Sequence, residues 1–154
     1  MANTYTQIYI HTVFAVENRM SLIRERWQEE LHKYITGIVQ NLGHKLIAIN
    51  SMPDHIHVFI GLKPSQSISS LLQDIKDSSS KWINKNEFVP GRFNWQLGYG
   101  AFSYSHSQID TVVKYIQNQK KHHKTKTFRE EYIEFLKNFD VPFEERFIFK
   151  EILD

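Results

Sequence analysis

Lys45-Leu-Ile-Ala-Ile-Asn-Ser51, Met52-Pro-Asp54 and His55-Ile-His-Val-Phe-Ile-Gly-Leu62 form the stretch from which the fold is read. Each flank is short and rich in β-branched and aromatic residues, and the proline and aspartate between them supply turn chemistry, so the stretch predicts two antiparallel strands. Alternate side chains of a strand share a face. Ile56, Val58 and Ile60 therefore point into a packed core, and His55 and His57 point together to the other side. Upstream, Trp27, Leu31, Tyr34, Ile35, Ile38, Val39 and Leu42 follow a helical period that stops at Gly43. Before them, Ile8, Ile10, Thr12, Phe14 and Val16 alternate within a strand over Thr4 to Val16. Downstream, a second helix follows Pro64 with Ile68, Leu71, Leu72, Ile75 and Trp82 as its inner face, and Phe93 to Tyr104 reads as extended. Ser107-Gln-Ile-Asp110 and Thr127-Phe-Arg-Glu130 have capping-box spacing and open two more helices. The order β-α-β-β-α-β predicts an α+β fold, a split-βαβ (ferredoxin-like) antiparallel sheet with helices on one face and appended C-terminal helices.

Composition agrees with one packed domain over residues 1–154. The chain is 41% hydrophobic and 14% aromatic, which excludes disorder as its main state. It has no cysteine, so disulfides, thiolate metal sites and cysteine nucleophiles are excluded together. No stretch of 18 apolar residues occurs and the first residues lack a signal-peptide pattern, so a soluble, cytoplasmic protein is expected. The formal charge is +2, but it is unevenly spread: residues 114–129 carry a net +6 and residues 130–154 a net −5. A basic segment of this kind suits phosphate contact, and it equally suits a solvated helix end.

Two sets of residues carry chemical potential. His55 and His57 on one strand face could start a metal site that needs a third oxygen or nitrogen donor, or they could be two partly exposed strand histidines. In the third helix, over about 107–123, Tyr115 and Gln119 lie one turn apart beside an apolar stripe of Ile109, Val112, Val113 and Ile116. A tyrosine can be a covalent nucleophile and a glutamine carbonyl can coordinate a hard cation, although a boundary tyrosine with a local hydrogen bond has the same signature. Lys120, Lys121, His122 and Lys124 cluster at the end of that helix and just beyond it. His11, His32, His44 and His106 have no partner visible in the sequence.

In combination these segments resemble the small single-tyrosine transposases of the HUH endonuclease superfamily, including their repeat-associated relatives. The resemblance rests on His11-Thr-Val-Phe14 with Arg19, on Met52-Pro-Asp-His-Ile-His57, on Trp95 to Phe102 and on Tyr115-Ile-Gln-Asn-Gln119. The Lys121-His-His-Lys124 continuation and the helical tail over about 127–154 also fit, so the likeness spans nearly the whole chain. It implies that His55, His57 and Gln119 hold a divalent ion, Mg²⁺ or Mn²⁺, and that Tyr115 is the nucleophile. It further implies cleavage and rejoining of single-stranded DNA through a 5′-phosphotyrosine, with recognition of a hairpin near the cut. The homodimers of this group exchange the tyrosine helix, and Gly98, Gly100 and Ser103 to Ser107 would then supply a hinge. Lys120, Lys121, His122 and Lys124 would contact DNA phosphates. Three other readings stay open at this point: an HUH nuclease for replication or repeat processing, a noncatalytic nucleic-acid-binding domain, and a small metal-dependent hydrolase that does not use Tyr115.

Overall fold

The structure is a computed structural model that describes residues 3–123 and 126–143, apart from the side chains of Arg19 and His122. Four antiparallel strands form one sheet in the order β2-β3-β1-β4: β1 is Tyr9–Ala15, β2 Lys45–Met52, β3 His55–Gly61 and β4 Gly100–Tyr104. Helix α1, Glu25–Asn41, joins β1 to β2, and α2, Ile68–Lys85, joins β3 to β4. After β4 come α3, Ile109–Gln117, the single turn α4, Gln119–His122, and α5, Phe128–Asn138. The split-βαβ sheet is therefore present as expected. Residue Lys124 and the tail beyond residue 143 lie outside the described residues.

The two central strands are buried on both faces, and the parity of their residues assigns each side chain to one of two cores. Phe14, Val16, Ile56, Val58 and Ile60 meet Trp27, Leu31, Ile35 and Val39 of α1 and Leu71, Leu72, Ile75 and Ile83 of α2. These helical residues recur every three or four positions because only that spacing keeps them on one stripe. Gly43 ends α1 at φ +90°, a conformation that strains any residue with a Cβ, and the backbone N–H of His44 closes back on Val39 O at 3.1 Å. Ser67 caps α2 by accepting from the Ser70 amide at 3.1 Å. The segment between α2 and β4 is held from α2: Asn84 brackets the Phe93 backbone at 2.7 and 3.0 Å, and Ser79 Oγ accepts from the buried Trp95 indole at 2.9 Å.

The appended helices do more than extend the fold, because they cover the second face of the sheet. Val112 and Ile116 of α3 pack on Ala48 and Phe59, while Phe128, Tyr132 and Leu136 of α5 pack on Val13, Ala15 and Phe102. Gly100 permits the approach of α5, since a Cβ there would stand 3.0 Å from the Tyr132 ring and hydroxyl. A β-bulge lies in β2 between Leu46, which pairs with Ile60, and Ala48, which pairs with Phe59. The extra residue reverses the parity of the rest of the strand, so that Asn50 and Met52 share a face with His57 and His55.

Two local expectations are corrected. The capping box is formed by Ser105 and Gln108, not by Ser107 and Asp110, and it opens a short 3₁₀ turn before α3. Ser105 is the first residue after β4, and the longer Gln108 side chain reaches back to its amide at 3.1 Å. The third helix is also not continuous to residue 123: it breaks at Asn118, whose φ and ψ are −96° and 23°. Gly98 and Gly100 precede or lie within β4, which pairs with β1. Of the stretch over Gly98 to Ser107, Ser105 to Ser107 follow the strand.

Candidate active site

His55 and His57 project from β3 toward α3 and α5, and both are completely buried, with 0% exposure. They are not the partly exposed strand histidines that remained an alternative. Each ring is oriented from its Nδ1 side. The Asp54 carboxylate lies 2.7 Å from His55 Nδ1 and accepts its proton, which leaves the Nε2 lone pair facing the interior. His57 Nδ1 lies 2.8 Å from His11 Nε2, and with the shared proton on His57 Nδ1 its Nε2 lone pair also faces the interior. Burial, and then the neighbouring His57, keep His11 neutral by lowering its pKa well below the ordinary histidine value. The His55 ring also stacks on Phe128, with centroids 3.9 Å apart and planes 11° apart. Burial lowers the His55 pKa, and Asp54 offsets part of that effect.

Tyr115 arrives from the last turn of α3, its ring 6.1 Å from that of His57. Asn50 of β2 fixes this end of the helix by donating to Ile116 O at 2.9 Å. Beyond the break at Asn118, Gln119 is buried and its Oε1 lies 3.4 Å from His55 Nε2 and 3.1 Å from His123 Nε2. His55, His57, Tyr115 and Gln119 thus converge within one chain. Lys120 is outside this cluster. It is 79% exposed and pairs with Glu25 of α1 at 2.7 Å, an ion pair of small energetic weight. Lys121 is exposed, and His122 lies in α4.

Besides Asp54 and His123, two contributors escape the sequence reading. His11 is one, joined to the site through His57. The other is Glu131 of α5, only 4% exposed, whose Oε1 lies 3.3 Å from His57 Nε2, 3.6 Å from His55 Nε2 and 3.3 Å from His123 Nε2. Its Oε2 accepts a short hydrogen bond from the Tyr115 hydroxyl. A signal existed: Glu131 follows Phe128 by three and precedes Phe135 by four, which places a carboxylate inside an apolar helical stripe. Burial opposes its ionisation, but the adjoining His123 and His57 rings hold its pKa well below the usual carboxylate range. Conversely, burial and then the Glu131 charge push the Tyr115 phenol well above its ordinary value. The hydroxyl borders a cleft of about 350 Å³ lined by Tyr104, Thr111, Val112, Glu134 and Phe135 among others.

The donor set suits a divalent cation. One nitrogen each from His55 and His57 and one Glu131 oxygen lie within 4.8 Å of one another. His57 Nε2 and Glu131 Oε1 are buried without a hydrogen-bond partner, a state that costs about 1–3 kcal/mol per group when nothing compensates it. Mixed imidazole and oxygen donors accommodate Mn²⁺ readily, and Mg²⁺ through its preference for oxygen.

Comparison with known proteins places this geometry in context. Residues 4–119 match the protein family described as "Transposase IS200 like". Over 118 residues the chain is 23% identical to the ISDra2 transposase TnpA of Deinococcus radiodurans, covering 73% of this chain and 84% of that one. Among solved structures, a Deinococcus radiodurans protein provisionally assigned as a transposase superposes with a TM-score of 0.62 at 21% identity, over 77% of this chain and 95% of its own. A REP-associated tyrosine transposase bound to a REP hairpin superposes with a TM-score of 0.57 at 18% identity, over 80% and 74% of the two chains.

Proposed function

This chain belongs to the IS200-like transposase family, and from that membership we propose that it cuts and rejoins single-stranded DNA with Tyr115 as nucleophile and a divalent ion, Mg²⁺ or Mn²⁺, held by His55, His57 and Gln119. The observation that carries the reading is the convergence of a tyrosine hydroxyl, at the edge of an open cleft, with two buried imidazoles whose outer nitrogens are tethered and whose inner nitrogens face one point. A bound cation would offset the negative charge of the scissile phosphate and of its transition state.

The protein groups have separable tasks. Asp54 and His11 hold His55 and His57 in the tautomer that presents Nε2 inward. Tyr115 attacks phosphorus and displaces the 3′ oxygen, leaving a 5′-phosphotyrosine and a free 3′-hydroxyl. Because the ester is exchanged rather than hydrolysed, another 3′-hydroxyl can reverse the step without a nucleoside triphosphate. A phenol with an ordinary pKa of about 10 must lose its proton as it attacks. Burial and then the neighbouring Glu131 carboxylate disfavour the phenolate in this arrangement.

The partner is proposed to be single-stranded DNA bearing a hairpin, the kind of ligand named for the REP-associated relative. Lys120, Lys121, His122 and Lys124 are proposed to meet its phosphates. No helix among the described residues is long and apolar enough to cross a membrane, and action on DNA fits a cytoplasmic, nucleoid-associated protein. All of residues 1–154 are read as one domain. A homodimer with exchanged tyrosine helices would place the same contacts between subunits. Asn50, which ties the end of α3 to β2, would make its hydrogen bond in either arrangement.

Covalent trapping tests the proposal. Single-stranded oligonucleotides tiled across the DNA flanking the gene, incubated with Mn²⁺ or Mg²⁺, should give a protein–DNA adduct on a denaturing gel, and Tyr115→Phe should give none. Cleavage without an adduct would replace the tyrosine mechanism with metal-dependent hydrolysis. Binding without cleavage would mark a noncatalytic DNA-binding protein.

A further inference from the structure

We propose that Glu131 couples the nucleophile to the metal centre, with Oε1 as a ligand beside His55 and His57 and Oε2 holding the Tyr115 hydroxyl. The inference rests on the metal-dependent tyrosine reading above and adds a residue from α5, twelve positions beyond the stretch that matches the family.

Geometry carries the assignment. Donor atoms about 2.1 Å from a cation stand roughly 3.0–3.4 Å apart at octahedral to tetrahedral angles. Glu131 Oε1 lies 3.3 Å from His57 Nε2 and 3.6 Å from His55 Nε2, within a few tenths of an ångström of that spacing. The oxygen is buried without a hydrogen bond and faces the two histidines, so it is already desolvated where a ligand would be needed.

Charge points the same way. His55 and His57 ligate as neutral rings and Gln119 is an amide, so without Glu131 a dication would sit in a buried pocket with no anionic donor. Of the nearby carboxylates, Asp54 is committed to His55 Nδ1, and Glu134 to an ion pair with Lys126. Glu131 alone completes a group of three metal-competent side chains among the described residues. His123 Nε2 faces the same Oε1 at 3.3 Å and also contacts Gln119, so it borders the ligand set.

The second oxygen gives the arrangement its consequence. Oε2 accepts from Tyr115, and Gln119 Nε2 approaches the same oxygen at 3.4 Å. One carboxylate therefore spans the distance between nucleophile and cation, and a movement of α5 changes both together.

Mn²⁺ affinity of the full-length chain, measured by electron paramagnetic resonance titration, tests the ligand role. Glu131→Gln, which keeps the shape and removes the charge, should weaken Mn²⁺ binding at least tenfold, and Glu131→Asp should recover part of the loss. Tyr115→Phe should stay within about twofold of wild type. In ¹³C-tyrosine spectra, Mg²⁺ should shift the Tyr115 resonance, identified by its absence from Tyr115→Phe, in wild type and not in Glu131→Gln. Wild-type affinity in Glu131→Gln together with lost affinity in His57→Ala would overturn the role of Glu131 while leaving the metal reading intact. A wild-type chain that binds no Mn²⁺ would overturn both.

Discussion

His32 shows what a single half-buried ring contributes away from the site. It lies on α1 with Nε2 2.8 Å from Ser51 Oγ, and burial lowers its pKa to about 4. The folded chain therefore resists a proton that the unfolded chain accepts near pH 6.5, so stability is full above that pH and falls as pH drops toward 4. Discounted for the part of the ring that water reaches, the loss is on the order of 2 kcal/mol. His32→Gln keeps a partner for Ser51 and should show a smaller fall in melting temperature between pH 6.5 and 4 than wild type. Equal falls in the two proteins would show that the ring titrates normally. At this scale the sequence revealed His55, His57, Tyr115 and Gln119, because strand alternation and helical spacing are local. His11 and Glu131 were hidden because their roles arise from contacts across 46 and 16 residues of chain.

Among the elements, α3 carries Tyr115 to the site. Its inward residues Val112 and Ile116 meet Ala48 and Phe59, and the Asn50 hydrogen bond closes its end. Asn50→Ala should cost about 1 kcal/mol. It should also speed hydrogen exchange of the α3 amides with little change in α2, and reduce adduct yield in the trapping assay. Unchanged exchange would assign the hold on α3 to apolar packing alone. The helices α1, α2 and α5 were legible from periodicity, α1 also from its stop at Gly43 and α5 from the cap at Thr127. The bulge in β2 was not, since an extra residue in a strand leaves no trace until the partner strand is known. The break at Asn118 was equally silent, because Gln117-Asn118-Gln119 contains neither glycine nor proline.

For the whole molecule, the main difference from the sequence reading is the second covered face. Periodicity assigned α1 and α2 to the sheet but could not say where helices after β4 would go; β4 lies at an edge, and the polar histidine face of β3 needed a cover. Coexpressing Tyr115→Phe with a His55→Ala/His57→Ala chain should restore activity in mixed dimers that exchange α3, and no restoration would assign the whole site to one chain.

The order of elements along the chain also bears on its synthesis. All four strands and both helices of the larger core precede Tyr115, and Glu131 emerges later still. A ribosome therefore completes the scaffold before it adds the group proposed to attack DNA. Translation products that terminate before residue 115 retain the histidines yet lack the nucleophile, which would protect the genome from breakage by unfinished protein.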